Sequence, residues 1–184
     1  MRLVVMLDCA RAMASMDGSR SKLDYALAAA LVLTRIAASR GDRVTLVAFS
    51  DRIERVVRVH SGSRALSRAY GSLYDLEARL SEPAYDLAAE TASGLEPRHA
   101  TLVLLTSVVD LAAAELLRQA ILGLKRKHRP ILEKHEDPEL RRLALGAPGA
   151  PEEDFAKVAS LGILLANRAL ASRLRHAGIR VLSA

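Results

Sequence analysis

The sequence predicts a three-layer α/β/α domain, in which helices cover both faces of a doubly wound, mostly parallel six-stranded sheet with one antiparallel edge strand. Short apolar runs rich in branched side chains alternate with longer segments whose apolar residues recur at helical spacing. Polar loops separate these segments, and we find no internal repeat. Strands that alternate with helices pair in parallel, because each helix returns the chain to the edge where the previous strand began. We expect residues 1–184 to form a single domain.

Six segments carry the pattern of strands. Most are continuous apolar runs, as expected for strands buried on both faces of a parallel sheet. Residues 51–59 instead alternate charged and apolar side chains, which is typical of a half-exposed edge strand paired antiparallel with its predecessor across a tight turn. In chain order, the predicted strands are residues 2–7, 43–49, 51–59, 101–106, 130–133 and 179–182.

Six other segments carry the pattern of helices. The first follows a polar loop and Ser21, which resembles the start of a capping box with Asp24, and it ends at Gly41. Pro83 opens the third helix. The Gly- and Pro-rich residues 146–151 form a linker too short to divide domains. The predicted helices are residues 22–40, 64–80, 83–93, 112–127, 137–144 and 152–176, the last either continuous or broken.

The composition argues against several classes of protein. The longest stretch without a charged residue is 99–109, eleven residues, whereas a membrane-spanning helix needs about 20, so we expect no membrane insertion. Four Tyr, two Phe and no Trp are too few for the aromatic platforms of single-strand nucleic-acid readers. The net charge of +6 is interspersed with acids, which favours a mixed solvated surface over a nucleic-acid interface. The single Cys fits a reducing compartment, so we expect a cytoplasmic location.

The loops that follow the parallel strands are predicted to share one rim, because ligands of such sheets bind at the carboxyl ends of the strands, where the strand order reverses. Asp8 follows the first strand and Asp110 follows the fourth, so the two carboxylates could face each other. The alternatives are that Asp8 caps its own loop and that Asp110 caps the next helix. Cys9 could be a nucleophile, but a buried apolar role is favoured. The sequence contains no zinc-type histidine spacing and no phosphate-binding loop.

Five phrases, VVMLDCARAM, SKLDYALAAALVL, GDRVTLVAFSDRI, LVLLTSVVD and LRHAGIRVL, resemble the von Willebrand factor A-type domain. In particular they resemble the bacterial family catalogued as domain of unknown function fifty-eight. The likeness covers nearly the whole chain. It implies protein–protein interaction without catalysis, and it implies a MoxR-type AAA+ ATPase as partner in a chaperone-like or assembly role. Members of that family usually carry upstream sequence, often with membrane helices, so we expect this chain to be part of a longer protein or an unusually short member.

The resemblance also implies a metal-ion-dependent adhesion site, from which this sequence departs. In such a site, Asp-x-Ser-x-Ser, a hydroxyl from a second loop and an aspartate after the fourth strand hold Mg²⁺. Here Asp8 is kept, but Ala10 and Ala12 replace the serines, Ala84 replaces the second-loop hydroxyl, and Ser107 replaces the aspartate. Methyl groups donate no lone pair, whereas Mg²⁺ requires near-octahedral oxygen ligands. We therefore expect no bound metal and no cofactor.

Three functions follow from the sequence. The favoured one is a non-catalytic interaction module in which Asp8 is paired with Arg11 or a backbone amide at a helix start. The alternative is a Mg²⁺-dependent binding domain that uses Glu82, Ser107 or Asp110 as replacement ligands. A third is a metal-dependent nuclease, which is weakened because the next carboxylate, Asp17, lies well along the loop. The predicted partner-binding rim comprises Asp8, Arg11, Tyr85, Ser107 and Asp110.

Overall fold

The computed structural model describes residues 1–60, 63–135, 138–146 and 151–183. Its strands are β1 (Arg2–Asp8), β2 (Met16–Asp17), β3 (Arg20–Ser21), β4 (Arg43–Phe49), β5 (Ile53–Val59), β6 (Thr101–Thr106), β7 (Arg129–Lys134) and β8 (Arg180–Ser183). Its helices are α1 (Lys22–Ser39), α2 (Ser63–Leu73), α3 (Tyr85–Leu95), α4 (Leu111–Lys125), α5 (Pro138–Leu145) and α6 (Pro151–His176), with a 3₁₀ turn at Arg11–Ala14.

Six of the strands form one sheet in the order β5-β4-β1-β6-β7-β8. All neighbours run parallel except β4 and β5, which pair antiparallel at the edge. This confirms the predicted sheet. The chain moves from β1 to β4 on one side and later returns to β6 on the other, so the strand order reverses at β1. The carboxyl ends of β1 and β6 therefore flank the point where ligands of such sheets bind.

Two apolar layers enclose this sheet. On β1, Val4 and Met6 pack into the layer that includes residues of α3, α4 and α6, while Leu3, Val5 and Leu7 pack into the layer that includes residues of α1 and α2. Side chains of one strand alternate between faces, so a strand buried on both sides must be apolar throughout. Each such aliphatic side chain contributes roughly 1.5–3 kcal/mol on burial. β1 is thereby fixed in register, and Asp8 at its end is fixed with it.

The helix predicted over residues 64–80 ends earlier, at Leu73. Beyond that point the backbone pairs with the loop after β1: the Arg79 N–H donates to the Cys9 carbonyl at 2.7 Å, and the Arg11 N–H donates to the Ser81 carbonyl at 3.0 Å. These long-range bonds satisfy groups that a longer helix would have used internally. The helical spacing of the sequence was therefore misleading over residues 74–80, where Leu80 is 93% exposed.

A short hairpin, β2–β3, replaces part of the irregular loop that the sequence predicted before α1. Gly18 and Ser19 form its two-residue turn, and Gly18 adopts a φ of 64°, which a residue with a Cβ rarely adopts. A Gly-Ser pair is one of the known signals of a two-residue hairpin turn and could have revealed this element. The linker predicted at residues 146–151 falls mostly outside the described residues, as does the first residue of the helix predicted over 137–144.

By length and composition, one helix among the described residues, Asp154–His176 in α6, could span a membrane. The search of the sequence for long charge-free stretches did not find this segment, because charged side chains interrupt it. Leu170, Ala171 and Leu174 of this helix are buried against the sheet in the same layer as α3 and α4. These contacts pack the C-terminal turns of α6 against the sheet, whereas only 22% of its most apolar 18-residue stretch is buried.

Candidate functional site

Asp8 lies at the end of the central strand and is fully buried. Its Oδ1 accepts a hydrogen bond from the Ala10 backbone N–H at 2.8 Å, and its Oδ2 accepts one from the Thr106 hydroxyl at 2.5 Å. The Tyr85 hydroxyl lies 2.9 Å from the Thr106 Oγ1 and 3.4 Å from Asp8 Oδ2. Of the two predicted partners of Asp8, the backbone amide at the start of the 3₁₀ turn is confirmed and Arg11 was wrong.

Burial governs the protonation of this cluster. Desolvation raises the pKa of Asp8 to about 6, and it does so against the hydrogen bonds from Thr106, Ala10 and Tyr85, which lower that pKa. Burial and the neighbouring Asp8 raise the pKa of the Tyr85 hydroxyl well above its usual value. Burial also raises the pKa of Cys9 to about 12. The Cys9 thiol therefore stays protonated at neutral pH, as expected of a buried apolar side chain rather than a nucleophile.

The alanines at the predicted metal positions bring no oxygen from their side chains. Ala10 and Ala12 are buried at the start of the 3₁₀ turn, and Ala84 donates its backbone N–H to the Ser50 carbonyl at 2.8 Å. Within the part of the chain that the structure describes, no group of three or more His, Cys, Asp or Glu side chains could hold a metal ion. The carboxylate of Asp8 is thus surrounded by protein donors and methyl groups.

Arg11 joins three of the loops at this edge of the sheet. Its guanidinium lies 2.8 Å from Glu82 Oε1 and 3.4 Å from Asp110 Oδ2, and all three side chains are partly exposed. The other carboxylate oxygen of Asp110 accepts the Ala113 N–H at 2.7 Å and caps α4, which confirms the predicted capping role. Asp8 and Asp110 share the rim, but each is bound by a different set of groups.

Ser107 lies below this surface. Its side chain is buried. The hydroxyl accepts a hydrogen bond from the Lys22 ammonium at 3.3 Å and donates one to the His135 carbonyl at 3.3 Å. We did not predict from the sequence that Lys22 is buried or that Thr106 is a partner of Asp8. A charged residue at the start of an otherwise apolar helix was the available signal for Lys22. Thr106 carries no such signal, because a threonine is ordinary in a strand.

The predicted rim is corrected by burial. Asp8, Tyr85 and Ser107 are between 0% and 4% exposed, so they offer no surface to a partner. Arg11 and Asp110 remain accessible, with side chains 49% and 37% exposed. Glu82, which the sequence suggested only as a replacement metal ligand, joins them. The accessible polar set is therefore Arg11, Glu82 and Asp110, and we call it the outer triad.

Comparisons with known proteins agree with the topology of this fold. Residues 3–108 match the von Willebrand factor type A domain. No curated protein sequence matches the chain.

Solved structures with a similar fold include the conserved hypothetical protein BatB from Bacteroides thetaiotaomicron. Its TM-score is 0.52 at 15% identity, and the match covers 75% of this chain and 68% of that one. Another is the SpRpn10 VWA domain, with a TM-score of 0.50 at 10% identity over 100% of this chain and 87% of that one. At these identities the likeness concerns the fold.

Proposed function

This chain belongs to the family of von Willebrand factor type A domains, and we propose that it is a non-catalytic protein-interaction module whose metal-ion-dependent adhesion site no longer takes a metal. Domains of this family commonly mediate protein interactions and metal-dependent adhesion. In this proposal the chain mediates protein interaction and not metal-dependent adhesion, and residues 1–184 form one domain.

The observation that carries the proposal is the enclosure of Asp8. Both of its oxygens accept hydrogen bonds from the protein, and no part of the residue is exposed. A cation that coordinated this carboxylate would have to reach a fully buried group, and displacing the Thr106 hydroxyl or the Ala10 N–H to do so would leave a buried donor unpaired. A buried donor left without its acceptor costs about 1–3 kcal/mol, and the alanines at positions 10, 12 and 84 offer no oxygen in return.

The position of Arg11 weighs against the replacement-ligand alternative. That alternative uses Glu82, Ser107 or Asp110 as replacement ligands, yet the Arg11 guanidinium lies within 3.4 Å of both carboxylates. The Ser107 hydroxyl is buried and accepts from the Lys22 ammonium. A fixed positive charge between two carboxylates repels a divalent cation. A metal-dependent nuclease would face the same obstacle, and Asp8 alone cannot assemble the several carboxylates such chemistry requires.

We propose the outer triad as the partner-facing surface. Its three charged side chains come from three loops, remain accessible, and are held in place by their mutual ion pairs. The partner that the sequence resemblance suggests is a MoxR-type AAA+ ATPase, with this chain as a member of the bacterial family of unknown function fifty-eight. In that setting the domain acts in the cytoplasm or on the cytoplasmic face of a membrane.

A binding measurement against a purified MoxR-type ATPase from the same genome tests this proposal. The double variant Arg11→Ala/Asp110→Ala removes two members of the outer triad, and we expect it to weaken binding at least about tenfold. The matched control is Glu115→Ala/Arg118→Ala, which removes an exposed ion pair on α4 and should leave binding unchanged. Unchanged affinity in the first variant would exclude the outer triad as the interface.

A further inference from the structure

A basic cavity of about 330 Å³ lies between the end of β7 and helices α5 and α6. Its lining carries four cationic side chains, and no acidic side chain of the described residues contributes to it. A cavity of this volume lies at the lower end of the range for small-molecule sites, about 300–1,000 Å³. The cationic lining residues are Lys134, Arg141, Arg168 and Arg175.

The floor of the cavity contains an unpartnered polar atom. Asn167 lines the cavity, is 7% exposed, and donates its Nδ2 to the Val108 carbonyl at 3.0 Å. Its Oδ1 is buried and lies within reach of no protein donor among the described residues. Native proteins rarely leave such an atom unsatisfied, because the cost is about 1–3 kcal/mol. A ligand that supplies a hydrogen-bond donor would satisfy this oxygen.

The arginines indicate a second property of that ligand. Arg141 and Arg168 line the cavity, are exposed, and form no ion pair with the described acidic residues. Among the described residues, the Arg175 side chain donates to the Val181 carbonyl at 3.5 Å. The planar guanidinium group suits two-pronged recognition of phosphate and carboxylate. The three arginine side chains together carry three positive charges. A single carboxylate would neutralise one of them, whereas a phosphate monoester carries nearly two negative charges at pH 7.

We propose that this cavity binds a phosphate-bearing small molecule that also carries a hydroxyl or N–H group. The three arginines contact the phosphate, and Asn167 Oδ1 accepts the hydrogen bond from the donor group. None of the lining residues belongs to the outer triad, so the two sites are separate in the fold. Its occupancy would also brace the loop after β6, because Asn167 is bonded to Val108 in that loop.

Isothermal titration calorimetry in phosphate-free buffer at constant ionic strength tests the site. The probes are inorganic phosphate and glycerol 3-phosphate, and we expect saturable binding of both, tighter for the second because its hydroxyls can donate to Asn167. The variant Arg141→Gln/Arg168→Gln should bind at least about tenfold more weakly. Arg173→Gln is the matched control, because Arg173 is exposed on α6 but does not line the cavity, and it should bind normally.

Three results would overturn the proposal. One is the absence of saturable binding of either probe up to about 10 mM. Another is an equal loss in the Arg173→Gln control, which would indicate diffuse charge attraction. The third is tighter binding of hexaglutamate than of glycerol 3-phosphate, which would assign the cavity to an acidic protein segment. Thermal melts of each variant without ligand establish that the fold is retained.

Discussion

Asp8 and Thr106 are 98 positions apart in the sequence and share a hydrogen bond of 2.5 Å. The sequence predicted where Asp8 lies, because an aspartate directly after an apolar strand reaches the carboxyl edge of the sheet. It also predicted the loss of side-chain oxygens at Ala10 and Ala12. It did not predict that Thr106 and Tyr85 would enclose the carboxylate, because distances between loops depend on packing that residue types alone do not encode.

The hydroxyl of Thr106 stabilises the charged form of a buried carboxylate, so its removal should be costly. We expect Thr106→Val to lower the free energy of unfolding by about 1–3 kcal/mol at pH 8. Urea denaturation measures this. Thr101→Val, at the opposite end of β6, is the matched control and should cost much less. Equal losses of unfolding free energy in the two variants would mean that the hydrogen bond from Thr106 to Asp8 does not stabilise the fold.

The pKa of Asp8, raised to about 6 from 3.8, makes stability depend on pH. Between these values the folded state binds more protons than the unfolded state, so stability falls as pH rises from about 4 to 6 and stays low above that. A shift of roughly two units corresponds to about 3 kcal/mol. Burial likewise raises the pKa of Glu133 to about 7, which extends the same trend to neutral pH.

The variant Asp8→Asn/Glu133→Gln removes both of these titrations. Its free energy of unfolding should vary much less between pH 5 and pH 8 than that of the wild type, as measured by urea denaturation across that range. Wild-type stability that instead increased from pH 5 to pH 8 would show that other groups dominate the pH dependence of stability and that folding does not raise the pKa of Asp8.

At the scale of elements, the start of α1 was predicted well because its signal is local. Ser21 accepts from the Asp24 N–H, and the Asp24 side chain accepts from the Ser21 N–H, as a capping box requires. The early end of α2 was not predictable in the same way. There the backbone of Arg79 and Ser81 pairs with the loop after β1, and such distant partners override helical spacing.

The capping box gives a test at this scale. Ser21→Ala removes the side-chain acceptor for the first turn of α1, and we expect a loss of about 1 kcal/mol in the free energy of unfolding. Ser19→Ala is the control, since Ser19 is exposed in the β2–β3 turn. A thermal or urea melt compares the two, and a Ser21→Ala variant as stable as the wild type would mean that α1 is held by packing alone.

For the molecule as a whole, the mostly parallel six-stranded sheet with its antiparallel edge was predicted from the alternation of strands and helices, whereas the order β5-β4-β1-β6-β7-β8 comes from the structure. That order places the ends of β1 and β6 side by side, where the sequence resemblance implies a metal site. In this chain the same place contains a sealed aspartate, with the guanidinium of Arg11 joining the loops outside it. The positive charge of Arg11 thus connects the loops that carry Glu82 and Asp110.

A thermal melt with increasing Mg²⁺ or Mn²⁺, compared with a melt in EDTA, tests the proposed loss of the metal site most directly. A ligand that binds only the folded state raises its stability by about 2.7 kcal/mol at a hundred times its Kd. We expect no saturable rise in Tm up to about 10 mM of either ion. A saturable rise that the Asp8→Asn variant abolishes would contradict this, because it would place a bound metal at Asp8.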